Sequence, residues 1–147
     1  MPTPTPVVVE RPTGVSALAA FFFVGALVSG AASVSLLAPG GSLDLMWRLN
    51  PRAHDAFGRI GVGASILLVA VSVSCAAAGY GFAAGRRWGY RLGIGLLVLN
   101  LAGDVINVAS GVELRAAVGI PIVAVLLWYL SSGSVRRYFS AAVQRAP

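Results

Sequence analysis

Lysine is absent from this chain of 147 residues, so all eleven of its basic residues are arginine. Charge of either sign is scarce, because charged residues make up 11% of the chain, against about 25% in soluble domains. Hydrophobic residues reach 57%. This composition excludes an ordinary soluble domain and indicates a membrane protein whose length suits one compact bundle. Arginine without lysine, in a chain rich in Ala, Gly and Val, also predicts a bacterial source.

The side chains that most often carry catalysis or bind metals are scarce too. The one cysteine, Cys75, lies in an apolar run and has no partner for a disulfide or a C-x-x-C redox pair. The one histidine, His54, precedes Asp55, but adjacent helical side chains do not face each other. No metal site and no cofactor are predicted, and no serine has a usable base, so we expect a protein that is not an enzyme.

The net charge of +6 would suit a nucleic-acid partner if the arginines formed one basic face. They stand instead at the ends of apolar runs, where arginine orients and anchors membrane helices. The sequence therefore predicts no nucleic-acid partner. The predicted partners are the lipid bilayer and the anionic lipid headgroups that meet the arginine clusters on the cytoplasmic side.

Four apolar runs follow a Pro- and Thr-rich stretch, residues 1–13, which predicts a flexible N-terminal tail. A bilayer core of about 30 Å needs about 20 helical residues to cross it. The predicted four-helix transmembrane domain covers residues 14–135, with spans at about 15–38, 58–84, 90–109 and 115–130, and a basic amphipathic tail follows at 136–147. Cleavage of the first run as a signal peptide is the alternative, since "VSGAAS" offers a small-residue cleavage site.

Capping residues predict how the first two spans are joined. Ser42 is the predicted N-cap of a short amphipathic helix over 42–49, which lies in the membrane interface. Asn50 is a strong N-cap and Pro51 favours the first helical position, so an unbroken helix is predicted from Pro51 to Ala84. The fold class predicted from these signals is an all-α bundle of four transmembrane helices, with a short interfacial helix between the first and second.

The arginines also predict the orientation of the bundle. Four spans place both termini on one side, where seven arginines lie, and four arginines lie near the other side. The positive-inside rule then predicts cytoplasmic termini and a location in the bacterial inner membrane. The predicted interface anchors are Trp47, Arg86, Arg87, Trp88, Trp128, Tyr129, Arg136 and Arg137.

A carboxylate stands inside the third apolar run. Asn100, Asp104 and Asn107 recur at i, i+4 and i+7 and therefore share one helix face. An ionised Asp at the centre of a bilayer costs about 3 kcal/mol on insertion scales, so it should face the bundle interior and be paired, hydrated or protonated. Arg59 and Arg115 are the predicted partners in a structural clamp. The alternative is an ion, proton or substrate site that opens outward.

Small residues recur at four-residue intervals in the apolar runs, as in the hairpin series Gly81, Gly85, Gly89 and Gly93. Such spacing allows close helix approach in lipid. Packing within the four-helix bundle is the first interpretation. Assembly into a homo-oligomer is the alternative, because the same pattern serves both.

Four segments together resemble a group of small four-helix bacterial integral membrane proteins of unknown function: "RPTGV", "APGG…LNP", "GRRWGYRLGIGLLVLNLAGDVIN" and "GIPIVAVLLWYL…VRRYF". The resemblance implies an integral inner-membrane protein and supplies no substrate or catalytic residue. We therefore expect a non-enzymatic structural or assembly role. A small transporter or channel subunit that uses Asp104 is the alternative.

Overall fold

A computed structural model describes residues 11–111 and 116–141 of the chain, and all the regular structure in these ranges is helical. The predicted all-α class is confirmed. The described helices are α1 (Thr13–Leu37), a 3₁₀ helix (Ser42–Arg48), α2 (Pro51–Ile60), α3 (Val62–Ala83), α4 (Arg87–Ala109), α5 (Ala116–Ser131) and α6 (Gly133–Ala141).

Three of these helices, α1, α3 and α4, are long and apolar enough to cross a membrane. With 16 residues, α5 is shorter than the roughly 20 that a span needs. It qualifies only together with α6, which follows after a bend of 57°. Within the described ranges, three helices are thus long and apolar enough to cross a membrane, or up to four if the bent pair counts as one span.

The prediction of an unbroken helix from Pro51 to Ala84 is wrong, because the helix is interrupted at Gly61. Gly61 has φ 66° and ψ −136°, a conformation open to glycine and strained for other residues. The predicted start is confirmed, since the Asn50 side chain accepts a hydrogen bond from the Ala53 N–H at 3.0 Å. The polar helix α2, which has no buried residues, is therefore separate from α3, and the membrane-spanning candidate begins at Val62.

Ser42 does not cap the 3₁₀ helix, so this prediction is wrong as well: Gly41 occupies the N-cap position without a side-chain bond. The loop is held by Asp44 instead. Its carboxylate accepts hydrogen bonds from the Gly40 N–H and from the Ser35 hydroxyl of α1. Trp47 then donates from its indole N–H to the same Ser35 oxygen at 2.9 Å. Together these bonds fasten the 3₁₀ helix to the end of α1.

Acidification is expected to release this loop. The hydrogen bonds from Ser35 and Gly40 hold the pKa of Asp44 below its ordinary value of 3.8. A carboxyl whose pKa is depressed stabilises the fold above its ordinary pKa and loses that contribution as the pH falls through the lowered value. In a variant that keeps Trp47 and has Trp88→Phe and Trp128→Phe, indole fluorescence should change with a midpoint below pH 3.8. Adding Asp44→Asn should abolish this transition, and a transition that persists would assign it to another group.

The apolar core lies at one end of the bundle, which we call the packed end. The first turns of α1, the last turns of α3, the start of α4, the end of α5 and α6 meet there. Aromatic rings join these elements: Phe22 stacks on Phe82 at 5.5 Å, and Phe82 meets Phe139 edge-on at 5.6 Å between centroids. The buried members are Val15, Leu18, Ala19, Phe22, Ala78, Phe82, Leu97, Val123, Leu130, Val135 and Phe139.

Glycines bring α3 and α4 into backbone contact at the packed end. Gly81 and Gly89 face each other so closely that neither has room for a Cβ atom, and Gly93 lies against the Phe82 ring. Gly85, in the turn between these helices, has φ 64°. The predicted hairpin is thus built on close approach of backbones, as small residues permit in lipid.

Helices α1 and α3 pack against each other along a long seam of small residues. The Ser72 hydroxyl donates to the Ala26 carbonyl at 2.7 Å, and the Ser33 hydroxyl donates to the Ser65 carbonyl at 3.0 Å. Because these partners are spread along both helices, the small residues of this seam serve packing within the chain.

Candidate intramembrane polar site

The polar residues of α4 lie on the same face of the helix as the glycines that pack against α3. At 100° per residue, Asn100 is about 20° around the helix from Gly89, and Asn107 is in line with Gly89. Gly89 and Gly93 are buried against α3, whereas Asn100 and Asn107 are exposed. One and the same face is therefore covered at the start of α4 and uncovered in its second half. We call the uncovered stretch of α4, residues 98–109, the open half.

The fraction of buried residues falls from α1 to α4. Within the most apolar 18-residue stretch of each helix, 33% of residues are buried in α1 and 11% in α4. Apolar side chains of the open half point outward, with Leu99 76% and Ile106 64% exposed, as expected of a surface that faces lipid. The amides of Asn100 and Asn107 lie beside this apolar surface.

Asp104 is half-buried between α4 and α5. Its Oδ2 atom accepts a hydrogen bond from the Asn100 side-chain amide at 3.2 Å. On the other side it lies over Gly119 of α5, where a Cβ atom would come within 2.5 Å of Oδ2. Gly119 therefore makes room for the carboxylate. Sequence reasoning missed it, although a glycine in the fourth apolar run was the available signal.

Of the two arginines predicted to pair with Asp104, the structure describes only Arg59. Within the described ranges, the side-chain partner of Asp104 is Asn100, while Arg59 is exposed on α2, which packs against α3 and the 3₁₀ helix. Arg115 lies outside the described residues. A clamp between Asp104 and an arginine therefore stays a prediction.

Most of the predicted interface anchors lie at the packed end. Trp88 and Trp128 are 48% and 78% exposed there, at the start of α4 and near the end of α5. Tyr129 lies against Gly14 of α1. Trp47 is at the opposite end, with its ring next to His54 and Phe57. The predicted anchors Arg86, Arg87, Arg136 and Arg137 are exposed at the packed end.

A further arginine of the packed end was missed as a structural residue. Arg11 donates from its guanidinium to the carbonyls of Phe82 and Ala83, at 3.3 and 3.2 Å. These carbonyls belong to the last turn of α3, where positive charge is favoured, and the Phe82 carbonyl also accepts from the Gly85 N–H at 3.2 Å. The side chain that precedes α1 therefore ties it to the end of α3.

In the ranges 11–111 and 116–141, no three His, Cys, Asp or Glu side chains are grouped so that they could hold a metal ion. No family model matches this chain, and neither a curated protein nor a solved structure matches it. The predicted resemblance to small four-helix membrane proteins stays a prediction. The features that bear on function are therefore the open half of α4 and the packed end.

Proposed function

We propose that this is a multi-pass integral membrane protein with a non-enzymatic role in assembly, and that the open half of α4 binds a second copy of the chain. The observation that carries the proposal is the exposure of Asn100 and Asn107 on a helix apolar enough to span a membrane. Polar side chains within spans ordinarily face protein or a water-filled cavity, because lipid offers them no hydrogen bonds.

A second copy of α4 fits this face for two reasons. An asparagine amide both donates and accepts, so two identical helices related by a two-fold axis can pair the same residue with itself. Gly103 lies between the two asparagines in the sequence, and no neighbouring group lies within 4 Å of the position that a Cβ atom would take there. A glycine at this position allows a neighbouring helix to approach closely, as in small-x-x-x-small interfaces.

Disulfide cross-linking tests this assembly. In a Cys75→Ser background, Asn100→Cys should give a cross-linked dimer in membranes on mild oxidation. Ala102→Cys is the matched control, since it is also exposed on α4 but lies about 200° around the helix. Equal cross-linking at both positions, or none at position 100, would contradict assembly through the polar face.

We also propose that the protein lies in a bacterial inner membrane with both termini in the cytoplasm. The support is the excess of arginine at the packed end. Ser42 is exposed and lies at the opposite end. With Cys75→Ser, a Ser42→Cys variant should react with a membrane-impermeant thiol reagent from outside the cytoplasm. Labelling only from the cytoplasmic side would reverse the orientation.

A second candidate function is that of a small transporter or channel subunit that uses Asp104. It is favoured by the uncovered face of α4, which leads from the exposed asparagines to a half-buried carboxylate. Proteoliposomes carrying the wild type and Asp104→Asn test it. Transport predicts proton or ion flux that Asp104→Asn removes, whereas the assembly role predicts no flux from either protein.

A further inference from the structure

The packed end carries a cavity of about 510 Å³ that opens to solvent. Its walls come from the first two turns of α4, the last residue of α5 and the second half of α6. The lining residues are Arg87, Tyr90, Arg91, Ser131, Arg136, Arg137, Phe139 and Ser140. Half of them are arginines. We call this cavity the arginine pocket.

The pocket is shaped by packing that fixes α6 against α4. The 57° bend after α5 turns α6 back onto the bundle. Val135 and Phe139 of α6 are then fully buried, and Phe139 stacks on Tyr90 of α4 with 5.0 Å between ring centroids. Tyr90 in turn donates its hydroxyl to the Leu130 carbonyl at 3.0 Å. Buried aromatic contacts therefore hold the arginines of two helices around one cavity.

The positive charge of the pocket has no carboxylate beside it among the described residues. The carboxylates in those ranges are Asp44, Asp55 and Asp104, on the 3₁₀ helix, α2 and the open half of α4. The two serine hydroxyls of the pocket donate to backbone carbonyls, Ser131 to Leu127 and Ser140 to Arg137. Four guanidinium groups that line one cavity repel each other, and a bound anion relieves this repulsion.

We propose that the arginine pocket binds the phosphate groups of an anionic phospholipid headgroup. Arginine presents paired N–H groups that match two phosphate oxygens at once. The cavity volume falls within the range of about 300 to 1,000 Å³ that is typical of small-molecule sites, so it accommodates more than one phosphate. A headgroup with two phosphodiesters, as in cardiolipin, gives each phosphate two arginines.

The position of the pocket selects a lipid over a soluble phosphate compound. Arg87 is the first residue of α4 and Ser131 the last of α5, so the pocket lies where apolar helices end. Trp88 and Trp128, both exposed, stand close by in the sequence and are typical of headgroup depth. Basic pockets between membrane helices at the cytoplasmic side bind such headgroups. The proposal requires membrane insertion but not assembly through α4.

Titration of the purified full-length protein with cardiolipin, followed by native mass spectrometry, tests the site. The double variant Arg91→Gln/Arg136→Gln should bind cardiolipin about 30-fold more weakly, because each arginine near a membrane surface contributes about 1 kcal/mol, or about a fivefold factor. Arg91→Lys/Arg136→Lys should bind with intermediate affinity, since lysine keeps the charge but loses the paired N–H groups. The control Arg48→Gln/Arg59→Gln removes two exposed arginines outside the pocket and should leave the affinity unchanged.

Three outcomes would overturn the proposal. Equal weakening in the pocket variant and in the control variant would show that binding depends only on the overall charge of the protein. An unchanged affinity in the pocket variant would place the lipid elsewhere. Displacement of cardiolipin by pyrophosphate at matched concentration would assign the pocket to a soluble phosphate compound instead of a lipid. Phosphatidylglycerol, with one phosphate, should bind more weakly than cardiolipin if two phosphates are engaged.

Discussion

Gly89→Ala is expected to lower the free energy of unfolding by about 1 to 3 kcal/mol, although it adds a single methyl group and replaces glycine by a better helix former. The new Cβ atom would lie 2.7 Å from the carbonyl carbon of Gly81 and 3.2 Å from the Phe82 nitrogen. Backbone atoms cannot rotate away as a side chain can. Helices α3 and α4 must therefore separate, which disturbs the stack of Phe82 on Phe22 in the packed end.

Gly95→Ala is the matched control for this experiment. It is the same substitution in the same helix, but nothing lies within 4 Å of the added Cβ. It should stabilise the protein by about 0.5 to 1 kcal/mol, as alanine does relative to glycine in a helix. Unfolding of both variants in mixed micelles, followed by circular dichroism, measures the difference. Similar stabilities for the two variants would contradict the backbone contact between α3 and α4.

Removing the exposed amides of α4 is expected to weaken dimerisation. Each interhelical polar contact in a membrane contributes about 0.6 to 2 kcal/mol, and a two-fold dimer pairs Asn100 and Asn107 each with itself. The double variant Asn100→Leu/Asn107→Leu should therefore raise the dissociation constant about 10- to 1,000-fold. Energy transfer between labelled copies, as the protein is diluted with lipid, measures this constant.

The control for that experiment changes the other side of α4. Ala102 and Val105 are exposed and lie roughly opposite the asparagines. Ala102→Leu/Val105→Leu should leave the dissociation constant unchanged, because both remain apolar surface for lipid. Weaker dimerisation of the Ala102→Leu/Val105→Leu variant, or unchanged dimerisation of the asparagine variant, would show that the dimer forms through another face.

Signals that act over a few residues made parts of this fold predictable. Asn50 and Pro51 specify the start of α2 through the cap and the fixed φ of proline, and the structure has both in place. The break at Gly61 was not predictable in the same way. Gly58 and Gly63 stand within three residues of it in the sequence, and only the packing of the folded chain decides which glycine adopts positive φ.

The same distinction holds for the candidate site. The spacing of Asn100, Asp104 and Asn107 on one face of α4 follows from helical periodicity alone. Which part of that face is covered depends on where α3 and α4 part, and Gly89, Gly95 and Gly103 look alike in the sequence although their surroundings differ. The arginine pocket likewise needs the bend between α5 and α6, since the sequence pattern of Arg136 and Arg137 predicts only a basic tail.

The distance between spin labels at position 107 in two copies of the chain shows whether the polar faces of two α4 helices meet. With Cys75→Ser and Asn107→Cys, labelled protein in lipid bilayers should show a short, narrow distance distribution in pulsed electron paramagnetic resonance. The same label at position 102 should give a longer distance, since it points away from the pair. A short distance at 102, or no coupling at 107, would contradict assembly through the polar face of α4.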